Sequence, residues 1–192
     1  GSFWECGWIA PQVISDTPGT EIRLHNPALL ISDLRIDDVS ALIRLLEMAQ
    51  NHDCSQLVIV AHDVSDSALA LLRANRGQVG ITCLLVKVPS GSPAQSWALQ
   101  DMATLTGARP LISESGVTLE GVGWEDLGRA RRAWATADHF GLVGGGGDPA
   151  ALGEHIARLQ HGLPNVKDEN LRRLTQERIG RLLGGAALLW VG

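Results

Sequence analysis

Gln56-Leu57-Val58-Ile59-Val60-Ala61-His62-Asp63-Val64-Ser65-Asp66-Ser67-Ala68-Leu69-Ala70-Leu71-Leu72-Arg73 is the stretch on which the reading of this chain turns. Leu57–Val60 is continuous, apolar and β-branched, which suits a central strand buried on both faces. Ser65-Asp66 then sets a capping side chain ahead of an apolar run and opens a helix through about Arg76. A buried strand followed at once by a helix predicts an α/β domain.

Working outward, Asp37 is placed to cap a helix from about Asp38 to Asn51, and Ile81–Val88 reads as another strand. Pro93–Thr106 reads as a helix ended by Gly107. Upstream, Glu21–Leu24 alternates like a half-buried strand and Ala28–Ile31 is a short buried one. Downstream, a strand is expected at Leu111-Ile112 and a helical turn at Trp124–Leu127. Strands follow around Arg131–Ala135 and Phe140–Val143. Two longer helices follow, near Pro149–His161 and Lys167–Leu183; Gly184-Gly185 is expected to close the second, and Ala186–Val191 to form a last strand. An ending in a strand suggests a piece of something larger. The expectation is one mixed α/β domain over all 192 residues, with no internal repeat.

Composition narrows the function. The chain is 45% hydrophobic and 19% charged, with a net charge of −5, as in an ordinary globular domain. An acidic balance argues against a nucleic-acid partner, whose phosphates need clustered cations. The densest basic run, Arg129, Arg131 and Arg132, is flanked by Asp126 and Asp138 and reads as a solvated helix face. Three widely spaced cysteines, Cys6, Cys54 and Cys83, form neither a metal pattern nor a disulfide framework and point to the reducing cytoplasm. Cys83, in an apolar run, is expected in the core. No apolar stretch is long enough to span a bilayer.

The catalytic signals are weak. Gly144–Gly147 lies between a strand and a helix but lacks the Lys-Ser/Thr of a phosphate loop, and Asp148 would repel a phosphate; a flexible connecting turn is expected. His155 and His161 are six apart and lie on different helix faces. His62-Asp63 follows a strong strand, where α/β active sites often sit, but no nucleophile accompanies it, and a loop or capping role accounts for the pair. The more informative signal is surplus apolar surface. Leu42, Leu45 and Ala49 form one helical stripe, and Val39, Ile43 and Leu46 form a second beside it. Ala68–Leu72 is apolar on nearly every side. Either both helices are deeply buried or each offers a second face to a partner.

Several collinear segments are similar to GroEL-type chaperonins. Leu99–Gly107 resembles their LQDIATLTGG, Glu125–Ala130 their EDLGQA, and Val60–Val64 their IAEDV. Gln176–Ile179 with Leu183–Ala186 resembles QERVAKLAGGVA. The order holds from about Gly7 to Gly192. The resemblance implies the apical domain, a swivelling β/β/α fold with two groove helices and two longer C-terminal helices. It implies a non-enzymatic module for hydrophobic segments of non-native polypeptides and for the co-chaperonin mobile loop. The equatorial and intermediate domains, with the GDGTTT motif that handles ATP and Mg, are absent from this stretch. The fragment is expected to be a monomer and the whole subunit a ring oligomer. The family's groove positions fall on Trp8, Gln12, Val13, Ile43, Leu46, Leu69, Arg73 and Ala74. Gln12 stands where an aromatic is usual, Arg73 where an aliphatic is usual, and Ala74 where valine is usual. A narrower or more polar groove follows, with Arg73 favouring acidic hydrophobic ligands, and so does a second reading in which the domain serves one dedicated protein partner.

Overall fold

The strand expected at Leu57–Val60 forms the middle of a parallel trio. In the computed structural model, which describes residues 1–77 and 80–190 with side chains to residue 186, β5 (Gln56–Ala61) pairs with β3 (Ala28–Ile31) on one side and β7 (Thr82–Lys87) on the other. β8 (Gly128–Ala135) runs antiparallel to β3 and carries the sheet on through β9 (Phe140–Gly145) to β1 (Ser2–Trp4). β2 (Ile22–His25) pairs with the far half of β8, giving a mixed seven-stranded sheet. A short parallel pair, β4 (Arg35–Ile36) and β6 (Asp63–Val64), lies apart.

Strand residues alternate between the two faces, so each face builds its own core. Leu29, Ile31, Val58, Val60, Leu84 and Val86 pack toward α3 (Ala94–Thr106), α4 (Pro149–Gly162) and α5 (Glu169–Trp190). Ala28, Leu30, Leu57, Ile59, Cys83 and Leu85 pack toward α1 (Val39–Asn51) and α2 (Asp66–Ala74). This is the expected mixed α/β architecture, with five α-helices among the described residues.

Several local expectations are corrected. Asp38, rather than Asp37, caps α1: its Oδ1 accepts from the Ala41 amide at 3.0 Å. α2 stops at Ala74 rather than Arg76. Leu111 makes only a single bridge, to Ser32, and no strand forms at Leu111-Ile112. Arg129, Arg131 and Arg132 lie on strand β8, not on a helix, although all three are exposed. α5 begins at Glu169, where Asp168 Oδ1 accepts from the Leu171 amide at 3.0 Å. Gly184-Gly185 does not end it. The helix runs on to Trp190, in place of the strand expected from Ala186; Val191 lies outside the described residues. The physical reason is close packing. A Cβ on Gly185 would fall 2.4 Å from Leu105 Cδ2, so small residues here let α5 approach α3.

The tetraglycine run has the same cause and is not a flexible turn. The Gly146 amide donates to Arg129 O at 2.8 Å and the Gly147 amide to Leu105 O at 3.0 Å. A Cβ on Gly145 would meet Leu105 O at 2.0 Å, and one on Gly147 would meet Thr104 O at 2.2 Å. Backbone therefore lies against backbone where β9 passes the end of α3. Gly145→Ala is expected to destabilise the domain by about 2–3 kcal/mol in urea unfolding. Gly153→Ala, on an open face of α4 with nothing near the added methyl, should instead stabilise by about 0.5–1 kcal/mol.

Cys83 and Cys6 are buried, and burial pushes both thiols up to about 12 from an ordinary 9.0; Arg181 pulls partly against this at Cys6. The folded state therefore prefers the neutral thiol. The stability tied to that preference is complete below about pH 9 and is lost as pH rises toward about 12. Disulfide-exchange labelling at about pH 8 should be slow at both sites until the domain unfolds, and unfolding midpoints should fall as pH climbs above 9.

Candidate functional site

The two helices with surplus apolar residues lie side by side over one sheet face. α1 turns Leu42, Leu45 and Ala49 inward, and α2 turns in Ala68 and Leu72. Ser65 Oγ caps α2 by accepting from the Ala68 amide at 3.2 Å. What remains outward is an incompletely covered surface. Ile43 is 39% exposed, and Met48, Leu69 and Leu71 are half-buried against the core beneath.

The eight positions singled out from the sequence divide clearly. Ile43, Gln12, Arg73 and Ala74 are exposed, and Leu69 is half-buried. Val13 and Leu46 are core residues at 4% and 6% exposure. Val13, Leu46 and Leu69 belong to one cluster. Trp8 does not join them: it packs against the core on the opposite sheet face, and its amide donates to Thr136 O at 3.0 Å.

Two arginines missed in the sequence position this face. Arg76, two residues past the end of α2, donates to Gln12 O at 2.9 Å and pairs with Asp16 at 3.0 Å, tying the Pro11–Val13 turn to the helix. Arg44 reaches from α1 into a cage of backbone carbonyls, donating from Nη2 to Leu119, Glu120 and Val122 at 3.1, 2.6 and 2.7 Å. Neither had a sequence signal, because carbonyl acceptors carry no side-chain signature.

The largest omission lies on the other face. Asp101 of α3 is fully buried, and its carboxylate accepts from Arg178 of α5 through Nε and Nη2, both at 2.9 Å. It also accepts from His155 Nε2 of α4 at 2.8 Å. A paired carboxylate can only accept, so Nε2 carries a proton. The Arg178 guanidinium lies 4.7 Å from the centre of the Trp97 ring. A signal did exist: Asp101 stands in the stripe of Ala98 and Leu105, where an unpaired charge is costly. Both oxygens of the Asp101 carboxylate are met by charged or ring N–H donors, so the cluster reads as structural.

His62-Asp63 has no catalytic setting. The His62 carbonyl accepts from Lys87 Nζ at 3.1 Å, and Asp63 Oδ1 accepts from the Val64 amide. Among the described residues, no group of three or more His, Cys, Asp or Glu side chains is placed to hold a metal. Among them too, no helix is long and apolar enough to cross a membrane.

Asp101→Ala should cost about 3–5 kcal/mol, because it leaves a buried guanidinium unpaired. Replacing Asp101, His155 and Arg178 together with Leu, Leu and Met should recover most of that loss in the same denaturation measurement.

The mitochondrial chaperonin CPN60-like 2 of Arabidopsis thaliana is 34% identical over 186 residues, covering 97% of this chain. The chain spans 32% of that relative's length. Among solved structures, the chaperonin gp146 from the Pseudomonas aeruginosa bacteriophage EL, crystallised with ATP-BeFx, shares the fold with a TM-score of 0.71 at 16% identity. That match covers 94% of this chain and 36% of the phage protein. No protein-family model matches the chain.

Proposed function

Because this chain is a CPN60/GroEL-like chaperonin domain, we propose that it is the polypeptide-binding apical domain of a chaperonin subunit. The observation that carries this reading is the α1/α2 face, where Ile43 is exposed and Leu69, Leu71 and Met48 are only half covered. Apolar contact is non-directional and stabilises by about 25 cal/mol per Å² removed from water, so such a face accepts many sequences. Its ligands are hydrophobic segments of non-native polypeptides and the mobile loop of a co-chaperonin, which compete. Leu46 and Val13 form the floor beneath this face, while Gln12, Arg73 and Ala74 form its rim. Trp8 anchors the N-terminal segment from behind. ATP and Mg act in other domains of the subunit, and this domain performs no reaction. Ring assembly multiplies its weak sites by avidity. Buried reduced cysteines suit a reducing compartment such as the cytoplasm.

The rim favours a second reading. With exposed Arg73 and Gln12 beside a small apolar area, the face also suits one dedicated protein partner of acidic, hydrophobic character. Ile43→Glu adds a charge to an exposed position, so it should leave folding unchanged while weakening a labelled co-chaperonin loop peptide by about tenfold or more. Equal binding by both proteins would remove the α1/α2 face from the account. No saturable loop binding, with retained affinity for acidic hydrophobic peptides that is lost in Arg73→Val, would establish the dedicated-partner reading.

A further inference from the structure

On the side of the sheet away from α1 and α2, a cavity of about 380 Å³ opens between the end of β1, α3 and α5. Two indoles, Trp4 and Trp97, contribute to its walls, and each carries a guanidinium: Arg181 lies 5.5 Å from the Trp4 ring centre and Arg178 4.7 Å from that of Trp97. Its volume is in the range of small-molecule sites, about 300–1,000 Å³.

The polar groups of this cavity are unequally satisfied. Arg178 is held by Asp101 through two bonds of 2.9 Å, and Arg173 pairs with Glu177 at 3.1 Å. Arg181 differs. Its Nε donates to Phe3 O at 2.7 Å, while its terminal nitrogens make no hydrogen bond among the described residues. Burial pulls its guanidinium below its usual pKa, an effect that a nearby anion opposes. Trp4 is 3% exposed, and its Nε1 is buried with no hydrogen-bond partner among the described residues. The terminal nitrogens of Arg181 are therefore the donors that this cavity leaves without an acceptor.

We infer that this cavity is a binding site for a small aromatic monocarboxylate. The carboxylate accepts from the free nitrogens of Arg181, and the flat ring lies against Trp97 and Leu174. Glu5, Asp101 and Glu177 also line the cavity, which limits the ligand to a single negative charge and disfavours a dianion such as phosphate. The site stands independently of the polypeptide-binding reading, since it shares no residue with the α1/α2 face.

The test is nitrogen–proton correlation NMR of the tryptophan indole groups, with the Trp4 signal assigned through Trp4→Phe. Indole-3-acetate, indole-3-acetamide and inorganic phosphate are titrated in turn. Indole-3-acetate should shift the Trp4 signal and saturate at about millimolar concentration or below. The neutral amide should bind about tenfold or more weakly, having lost the charge-assisted bonds, and phosphate should not compete. Arg181→Met, which keeps the packed stem, should lose the preference for the acid. Equal binding of acid and amide, displacement by phosphate, or no shift of Trp4 at about 10 mM would each overturn the site. The acid–amide comparison on the unaltered protein decides the matter even where the Arg181 variant folds poorly.

Discussion

The Asp101 carboxylate is the constraint around which one half of this domain is organised. A buried carboxylate must be paired and hydrogen-bonded or be driven out. Here its partners come from two other helices, His155 of α4 and Arg178 of α5. α3, α4 and α5 can therefore dock in only one arrangement on their face of the sheet. The short backbone contacts at Gly145 and Gly147 against the end of α3, and of Gly185 against Leu105, fit this arrangement and no looser one. Buried ion pairs contribute little net stability compared with apolar packing. What this one supplies is register among three helices.

That closed side makes the asymmetry of the domain intelligible. Three helices, one of 22 residues, cover the first face of the sheet, and two helices of 13 and 9 residues cover the second. The shorter pair buries its own inner stripes but cannot bury its outer ones. Arg44 and Arg76 hold the surrounding loops through backbone carbonyls, so the exposed apolar surface is presented on a fixed support. A rigid scaffold carrying a partly uncovered apolar face suits capture by surface rather than by chemistry.

Much of this was legible in the sequence. Continuous apolar runs located β3, β5 and β7, and side-chain caps marked the starts of α1 and α2 within a residue. The two glycine misreadings share one cause. Glycine was taken as punctuation at Gly184-Gly185 and as slack at Gly144–Gly147, whereas in both places the missing Cβ admits a neighbouring element. Such a use depends on tertiary contacts that local pattern does not contain. The candidate groove was legible in part. Helical spacing distinguished two stripes on α1, but burial of Leu46 with exposure of Ile43 depends on how α1 tilts over the sheet. The placement of Trp8 behind the sheet depends on the path of residues 8–13, which carry no periodic signal. Asp101 was visible as an anomaly within an apolar stripe; its partners, 54 and 77 residues away in sequence, were not.

On the reading proposed above, the α1/α2 face captures polypeptide while the α3–α5 face serves as its support. Hydrogen–deuterium exchange, with and without a reduced, carboxymethylated protein that cannot refold, tests it most directly. The account predicts added protection confined to residues 39–51, 66–74 and the adjoining Pro11–Val13 turn. Protection centred on α4 and α5, or none despite demonstrated binding, would contradict it.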